Sequence, residues 1–244
     1  MSGIAFTRKR RGILWAHNDS GNGSLVYALD PTGAVLATVE LEVDNVDWED
    51  VAIGPRDDDT DWIYIADTGD NRSERARVDL YRFVEPPRRD RTIAADDVER
   101  LRVTYEGGPL DVEALFVDPV TGDAYLIGKE AFGDASLFAI PASAWSKGSH
   151  EAAQVGIIDL GVAELITAAD ISPDGTTIAV RTYGRVMLWE RAPSEPIPAA
   201  MARRPCDLTP PDETQGEAIT ITDDRIYTIG ESVGAPVHRY TISP

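Results

Sequence analysis

Short apolar runs separated by polar turns dominate the chain, and residues 111–130, DVEALFVDPVTGDAYLIGKE, show the unit clearly. Two such runs flank a turn, with Glu113 leading into the first and Lys129 and Glu130 following the second. Runs of this length, rich in β-branched and aromatic residues and bounded by Gly, Pro and Asp, predict an antiparallel hairpin. The same form recurs in SGIAFTRKRRGILWAHNDS (2–20), DWEDVAIGPRDDDTDWIYIADTGD (47–70), ITAADISPDGTTIAVRTYG (166–184) and QGEAITITDDRIYTIGES (215–232). Aligned on Ile4, Val51, Leu115, Ala169 and Ile219, the copies are spaced by 47, 64, 54 and 50 residues. Pro55, Pro119 and Pro173 each fall four residues after an anchor.

A third run follows every hairpin: SLVYALD, VDLYRFVEP, ASLFAIPA, RVMLWER and PVHRYTIS. A fourth follows in four copies: AVLATVELE, RLRVTYEG, QVGIIDLG and RPCDLTPP. No stretch of comparable length has helical periodicity, although DDVERL and PASAW have room for a single turn. A period near 50 residues made of short strands predicts an all-β, five-bladed β-propeller. It forms one domain over 1–244, with blades at about 2–42, 47–106, 111–161, 165–210 and 215–244. The fifth blade is one run short, so it has three strands or is completed by native residues preceding Met1.

Blade geometry locates the chemistry. The entry to the first strand and the exit from the second lie on one face, and the hairpin turn lies on the other. Glu49, Glu113 and Glu217 share the position before the first strand; blades one and four hold Ser2 and Thr167 there. The second strands end at His17–Asp19, Asp67–Asn71, Lys129 with Glu130, Arg181 with Thr182, and Glu231. Innermost strands converge on the channel axis, so these carboxylates crowd together and need a compensating charge. A calcium-type cation held by Glu49, Glu113, Glu217 and Asp67, with Asn18, supplies one solution. Lys129 and Arg181 supply another, as an ion-pair network, and acidic residues that merely tie neighbouring blades together are a third. Asn18, Asp19, Asp67, Lys129, Arg181 and Glu231 are the candidate ligand-binding residues, and His17 with Glu113 the candidate catalytic pair. His17 is equally open to a packing role. Trp48 and Tyr183 are candidate apolar walls, and the loops IADTGDNRSER and HNDSGNGS bear ligands or staple their own backbone. PRDDDTD (55–61) reads as a solvated turn on the opposite face.

Charge narrows the partners. The chain carries a formal net charge of −19, with 43% hydrophobic residues. That surface repels nucleic acids and anionic membranes, and the expected partner is a small-molecule substrate or ligand, with the protein a monomer. Cys206 is the only cysteine, which excludes an intrachain disulfide and a cysteine-based zinc cluster and reads as a buried thiol. The three histidines lack HExxH spacing, and no GxSxG elbow occurs. No apolar run approaches the ~20 residues needed to span a bilayer. No signal peptide is visible, so the chain as written is expected in the cytoplasm, or outside the cell if native N-terminal residues are missing.

The set HNDSG, DWEDVAIGP, DTGDNR, DVEALFVDPVTGDAYLIGKE, ISPDG with RTYGRVMLWE, and QGEAI resembles a family of bacterial β-propeller proteins across nearly the whole chain. The resemblance implies the fold and, for many members, export. More distantly, the acidic strand entries resemble those of calcium-dependent gluconolactonase-like and phytase-like propellers, which implies calcium and a hydrolase. Two functional expectations follow. One is a metal-assisted hydrolase or lactonase at the channel mouth, with paired carboxylates acting without metal on glycosides as its variant. The other is a non-catalytic propeller that binds a ligand or protein.

Overall fold

The computed structural model describes residues 1–10, 12–130, 134–161, 164–208, 213, 215–231 and 234–242. Every expected hairpin forms. β1 (Gly3–Phe6) pairs with β2 (Leu14–His17), and β5 (Trp48–Pro55) with β6 (Asp61–Asp67). β10 (Val112–Val117) pairs with β11 (Ala124–Gly128), β14 (Ile166–Ile171) with β15 (Thr177–Thr182), and β18 (Gly216–Ile221) with β19 (Arg225–Gly230). A third antiparallel strand flanks each hairpin: β3 (Leu25–Leu29), β7 (Val78–Val84), β12 (Asp134–Ile140), β16 (Val186–Glu190) and β20 (His238–Thr241). β4 (Val35–Leu41), β9 (Glu99–Tyr105), β13 (Ser149–Asp159) and β17 (Cys206–Leu208) follow as fourth strands.

Two outer pairings have no counterpart in the repeat pattern. β9 and β13 run parallel and join the second and third meanders into one eight-stranded sheet. A short strand, β8 (Arg91–Ile93), lies parallel to β4 and makes the first sheet five-stranded. The fourth sheet has three strands among the described residues, and the part of RPCDLTPP beyond Leu208 lies outside them. Single 3-10 turns occur at Ala95–Asp97 and Ala142–Lys147, within or beside DDVERL and PASAW. A five-residue helix at Ile197–Met201 had no periodic signal. Cys206 is exposed on the short β17, contrary to the expected buried thiol, because that strand ends its sheet.

The innermost strands pack in the cyclic order β1, β5, β10, β14, β18 and back to β1. Hydrophobic clusters fill each gap between neighbouring meanders. Trp15, Trp48, Ile65 and Phe83 fill the first, and Leu80, Leu115, Leu126 and Phe138 the second. Phe116, Ile127, Val180 and Trp189 fill the third, Ala168, Val186, Ile219 and Ile226 the fourth, and Ile4, Leu14, Tyr227 and Ile229 close the circuit. Side chains of this size contribute roughly 1.5–3 kcal/mol each when fully buried, so the clusters rather than the outer edges hold the ring.

Polar side chains stitch the ring at its centre. Asp50 Oδ2 accepts the backbone N–H groups of Leu115 at 2.9 Å and Ala169 at 3.2 Å, while Oδ1 accepts that of Val51 at 2.9 Å. One carboxyl on β5 thereby ties β10 and β14. Asp170 Oδ2 accepts the Thr220 hydroxyl at 2.5 Å and Ile221 N–H at 2.9 Å, and Thr220 Oγ1 accepts Phe6 N–H at 2.9 Å. These bonds link β14 to β18 and β18 to β1.

Candidate functional site: an acidic cavity at one end of the ring

The register explains how the acidic residues reach the axis. Trp48 pairs with Asp67 and Asp50 with Ala66, which leaves Glu49 as the extra residue of a β-bulge. Identical shifts leave Glu113, Thr167 and Glu217 unpaired in β10, β14 and β18. A bulge bends the strand and re-aims a side chain. Here it lets Glu49 line the cavity while the next residue, Asp50, reaches across the axis. β1 has no bulge, and Ser2 stands at its entry.

The cavity encloses about 130 Å³. Glu49, Glu113, Glu217, Glu231, Lys129 and Asp19 all line it, together with Asp47, Tyr183 and Gln215. Oxygen atoms of Asp19, Asp47 and Glu49 lie within 4.8 Å of one another, and so do those of Glu49, Asp111 and Glu113. Glu49 belongs to both groups. Gly69 makes this crowding possible: a Cβ there would stand 2.0 Å from Glu49 Oε1 and 2.5 Å from the Asp47 carboxyl. Lys129 Nζ donates to Glu113 Oε1 at 2.8 Å and lies 5.4 Å from the centre of the Tyr183 ring.

Burial pushes the Glu49 carboxyl far above the ordinary range, and the neighbouring Glu113 and Asp47 charges add to it. Burial also raises Glu113, although Lys129 opposes the rise. Glu217 is pushed up to about 7 by burial, with Lys129 lowering it and Glu113 and Glu231 raising it further. Asp47 and Asp111 are raised for the same first reason. Burial works against the Lys129 ammonium, but the Glu113 carboxylate more than offsets it and keeps the amine charged.

Several expected site residues stand elsewhere. His17 is fully buried, edge-on to Trp48 at 5.8 Å, and its Nδ1 meets the Asn18 carbonyl at 3.0 Å. Burial lowers its pKa to about 4, and it does not line the cavity. Trp48 is core rather than wall. Asp67 is buried away from the cavity, where it accepts N–H groups of Val46 and Asp47 at 3.1 Å and pairs with Arg75 at 2.9 Å. Its role is to fix the loop carrying Asp47. Arg181 is buried under Gly216 and pairs with Glu213 instead of the acidic ring. Asn18 donates to Tyr27 Oη at 3.3 Å and does not line the cavity. In the PRDDDTD turn, Asp57 accepts the N–H groups of Asp59 and Thr60, as a solvated turn would, but Asp61 is fully buried and faces Arg8 and Lys9.

The sequence reading missed Asp47, Asp111, Asp50 and Glu213. A signal existed for the first two. Asp47-x-Glu49, Asp111-x-Glu113 and Gln215-x-Glu217 repeat one spacing at the entries of three first strands.

No family model matches the chain, and no curated protein matches it. Solved structures do. A chain of the nidogen/laminin complex has a TM-score of 0.56 at 12% identity, covering 98% of this chain and 75% of its own. The U3-55K structure has a TM-score of 0.50 at 9% identity, covering 98% and 80%. The Myceliophteria thermophila Cps50 (Swd1) β-propeller domain scores 0.48 at 10% identity, covering 99% and 84%. The fold is a β-propeller. Identities this low carry the fold alone. No helix among the described residues is long and apolar enough to cross a membrane.

The propeller's cavity has a measurable pH signature. Glu217 titrates near 7 when folded and near the ordinary 4.5 when unfolded, so its protonated form favours folding. That contribution is complete below the unfolded value and is lost as pH rises through 7; Glu49 and Glu113 shift in the same direction. His17 shifts the opposite way and offsets part of this fall near pH 6.5, an effect that fades about one unit above that unfolded value. In chelator, Tm should therefore fall between about pH 6.5 and about pH 8. A Tm that rises over that interval contradicts the assignment.

Proposed function

We propose that residues 1–244 form a single five-bladed propeller whose acidic cavity holds one hard divalent cation of calcium type. In this reading the cation supports hydrolysis of a small ester, lactone or phosphoester. The observation that carries it is Glu49, which belongs to two carboxylate clusters and is packed against a glycine that leaves no room for a side chain. Oxygens within 4.8 Å of one another suit a common ion with bonds of roughly 2.3–2.6 Å. A volume of about 130 Å³ suits an ion with a few waters, at roughly 30 Å³ per water. It is too small to enclose an organic substrate, which would react at the open lip.

Asp19, Asp47 and Glu49, the first of the two groups, would hold the ion. When bound, such an ion polarises a carbonyl or phosphoryl oxygen and acidifies water. Glu217, titrating near 7, is suited to accept the proton of the attacking water. Lys129, steadied by Glu113 and Tyr183, is placed to balance negative charge developing on the substrate. The second reading, a non-catalytic binding propeller, is favoured by that same Lys129–Glu113 pair, which already neutralises part of the cavity. The similar chain solved in the nidogen/laminin complex illustrates such a role for the fold.

The test is an assay of p-nitrophenyl acetate, gluconolactone and p-nitrophenyl phosphate with calcium and with chelator. At least one should turn over only with calcium, and Glu217→Gln should lower kcat about 100-fold while calcium still binds. No turnover by calcium-loaded protein would remove the hydrolase half and leave the binding propeller.

A further inference from the structure

Glu49 stands between two groups of oxygens. Asp19 and Asp47 complete the first with it, and Asp111 and Glu113 the second. Oxygens within 4.8 Å of one another suit a calcium ion at about 2.3–2.6 Å or an ammonium nitrogen at about 2.7–2.9 Å. A carboxylate has two oxygens and about four lone-pair sites, so Glu49 can face a cation on each side. Glu49 is 7% exposed, lines the cavity, and accepts no bond from an N–H or ammonium group among the described residues.

The two groups differ in the positive charge beside them. Six carboxyls line the cavity, and Lys129 is the only basic residue to do so among the described residues. Its backbone N–H donates to the Asp111 carbonyl at 2.9 Å, which anchors it beside the second group. Its Nζ lies 2.8 Å from Glu113 Oε1, with the side chain 14% exposed. Burial raises both Asp111 and Glu113, and the Lys129 charge opposes the rise in each. Beside the first group, Arg75 is already spent on Asp67 and the Gly69 carbonyl, at 2.9 and 2.7 Å. The first group is therefore left without a cation of its own.

We propose that Lys129 is the resident cation of the second group and limits the cavity to one metal ion, held by Asp19, Asp47 and Glu49. This division rests on the reading of the cavity as a metal site, with metal on one side of Glu49 and ammonium on the other. A second ion at Asp111 and Glu113 would stand against the Lys129 ammonium, and like charges this close in a buried site repel strongly. The amine thereby sets how many ions the cavity takes.

The test is calorimetric titration of the metal-stripped full chain with calcium. Wild type should take one ion, and Lys129→Met, which keeps the side-chain length without its charge, should take two. Adding Asp111→Asn to Lys129→Met should return the count to one. In the presence of Lys129, Asp111→Asn should weaken calcium at least about tenfold less than Asp47→Asn does, because only Asp47 touches the ion. Near-UV circular dichroism checks that each variant is folded, and the Asp111 and Asp47 comparison decides the matter if Lys129→Met does not fold. The proposal is overturned if folded Lys129→Met still takes one ion, or if Asp111→Asn costs as much affinity as Asp47→Asn. Wild type taking no ion while Lys129→Met takes one would remove the metal reading of the native cavity and retain Lys129 as its resident cation. If neither takes an ion, both fall.

Discussion

Asp50→Ala should be the most damaging single substitution in the polar centre of this protein, lowering stability by about 3–5 kcal/mol. The carboxyl is fully buried and accepts N–H groups from β10 and β14 as well as from its own neighbour Val51. Removing it strands two donors from other strands, at about 1–3 kcal/mol each, and opens a void at the axis. Against a net stability of roughly 5–15 kcal/mol, that is a large share. Tm should drop by roughly 10 °C, at about 2–4 °C per kcal/mol for a chain of this length. Asp50→Asn should cost clearly less, because its amide oxygen can keep both inter-strand N–H groups while its NH₂ faces only that of Val51. Asp58→Ala, in the exposed turn, should stay within about 0.5 kcal/mol. Thermal unfolding of the three variants decides it; Asp50→Ala melting within about 2 °C of wild type would show that the ring does not depend on this carboxyl.

Gly69→Ala should abolish cation binding with a smaller effect on the fold. The added methyl would fall 2.0 Å from Glu49 Oε1 and 2.5 Å from Asp47, closer than any atoms can remain. Either the two carboxyls separate or the loop moves, and the loop is held by Asp67 through Val46, Asp47 and Arg75. The carboxyls therefore give way. Overpacking of this kind costs typically 1–3 kcal/mol of stability, whereas separating two of the oxygens that define the site should weaken calcium at least about 100-fold. Glu49→Gln should weaken binding similarly, without the steric cost. If Gly69→Ala binds calcium like wild type, the Asp47–Glu49 pair is not part of the site.

The hairpins were legible because alternation, turn chemistry and repeat spacing agreed with one another. Glu49, Glu113 and Glu217 could be placed together because their shared repeat position fixes the end of the ring they occupy. The bulge that turns them inward was not legible, since a one-residue register shift leaves no mark on a local hydrophobic pattern. Position at a strand end also fails to say which way a side chain points. His17 and Asp67 sit at the ends of second strands as expected, yet one packs on Trp48 and the other caps a loop. Arg181 lies opposite Ala168 and runs beneath Gly216, where a residue with any side chain would exclude it. Such choices are made between blades, by packing. The parallel β9–β13 and β4–β8 pairs were hidden for the same reason: each joins distant edges with no local signal.

The central claim is that the acidic cavity holds a hard divalent cation, and calorimetric titration of metal-stripped wild-type protein with calcium tests it most directly. The expected result is a single saturable site, abolished in Gly69→Ala and Glu49→Gln, with a wild-type Tm that climbs with calcium concentration as binding to the folded state requires. No heat of binding, together with equal melting temperatures in calcium and in chelator, would contradict the claim and leave Lys129, with Arg75 beside Asp47, to balance the acidic ring.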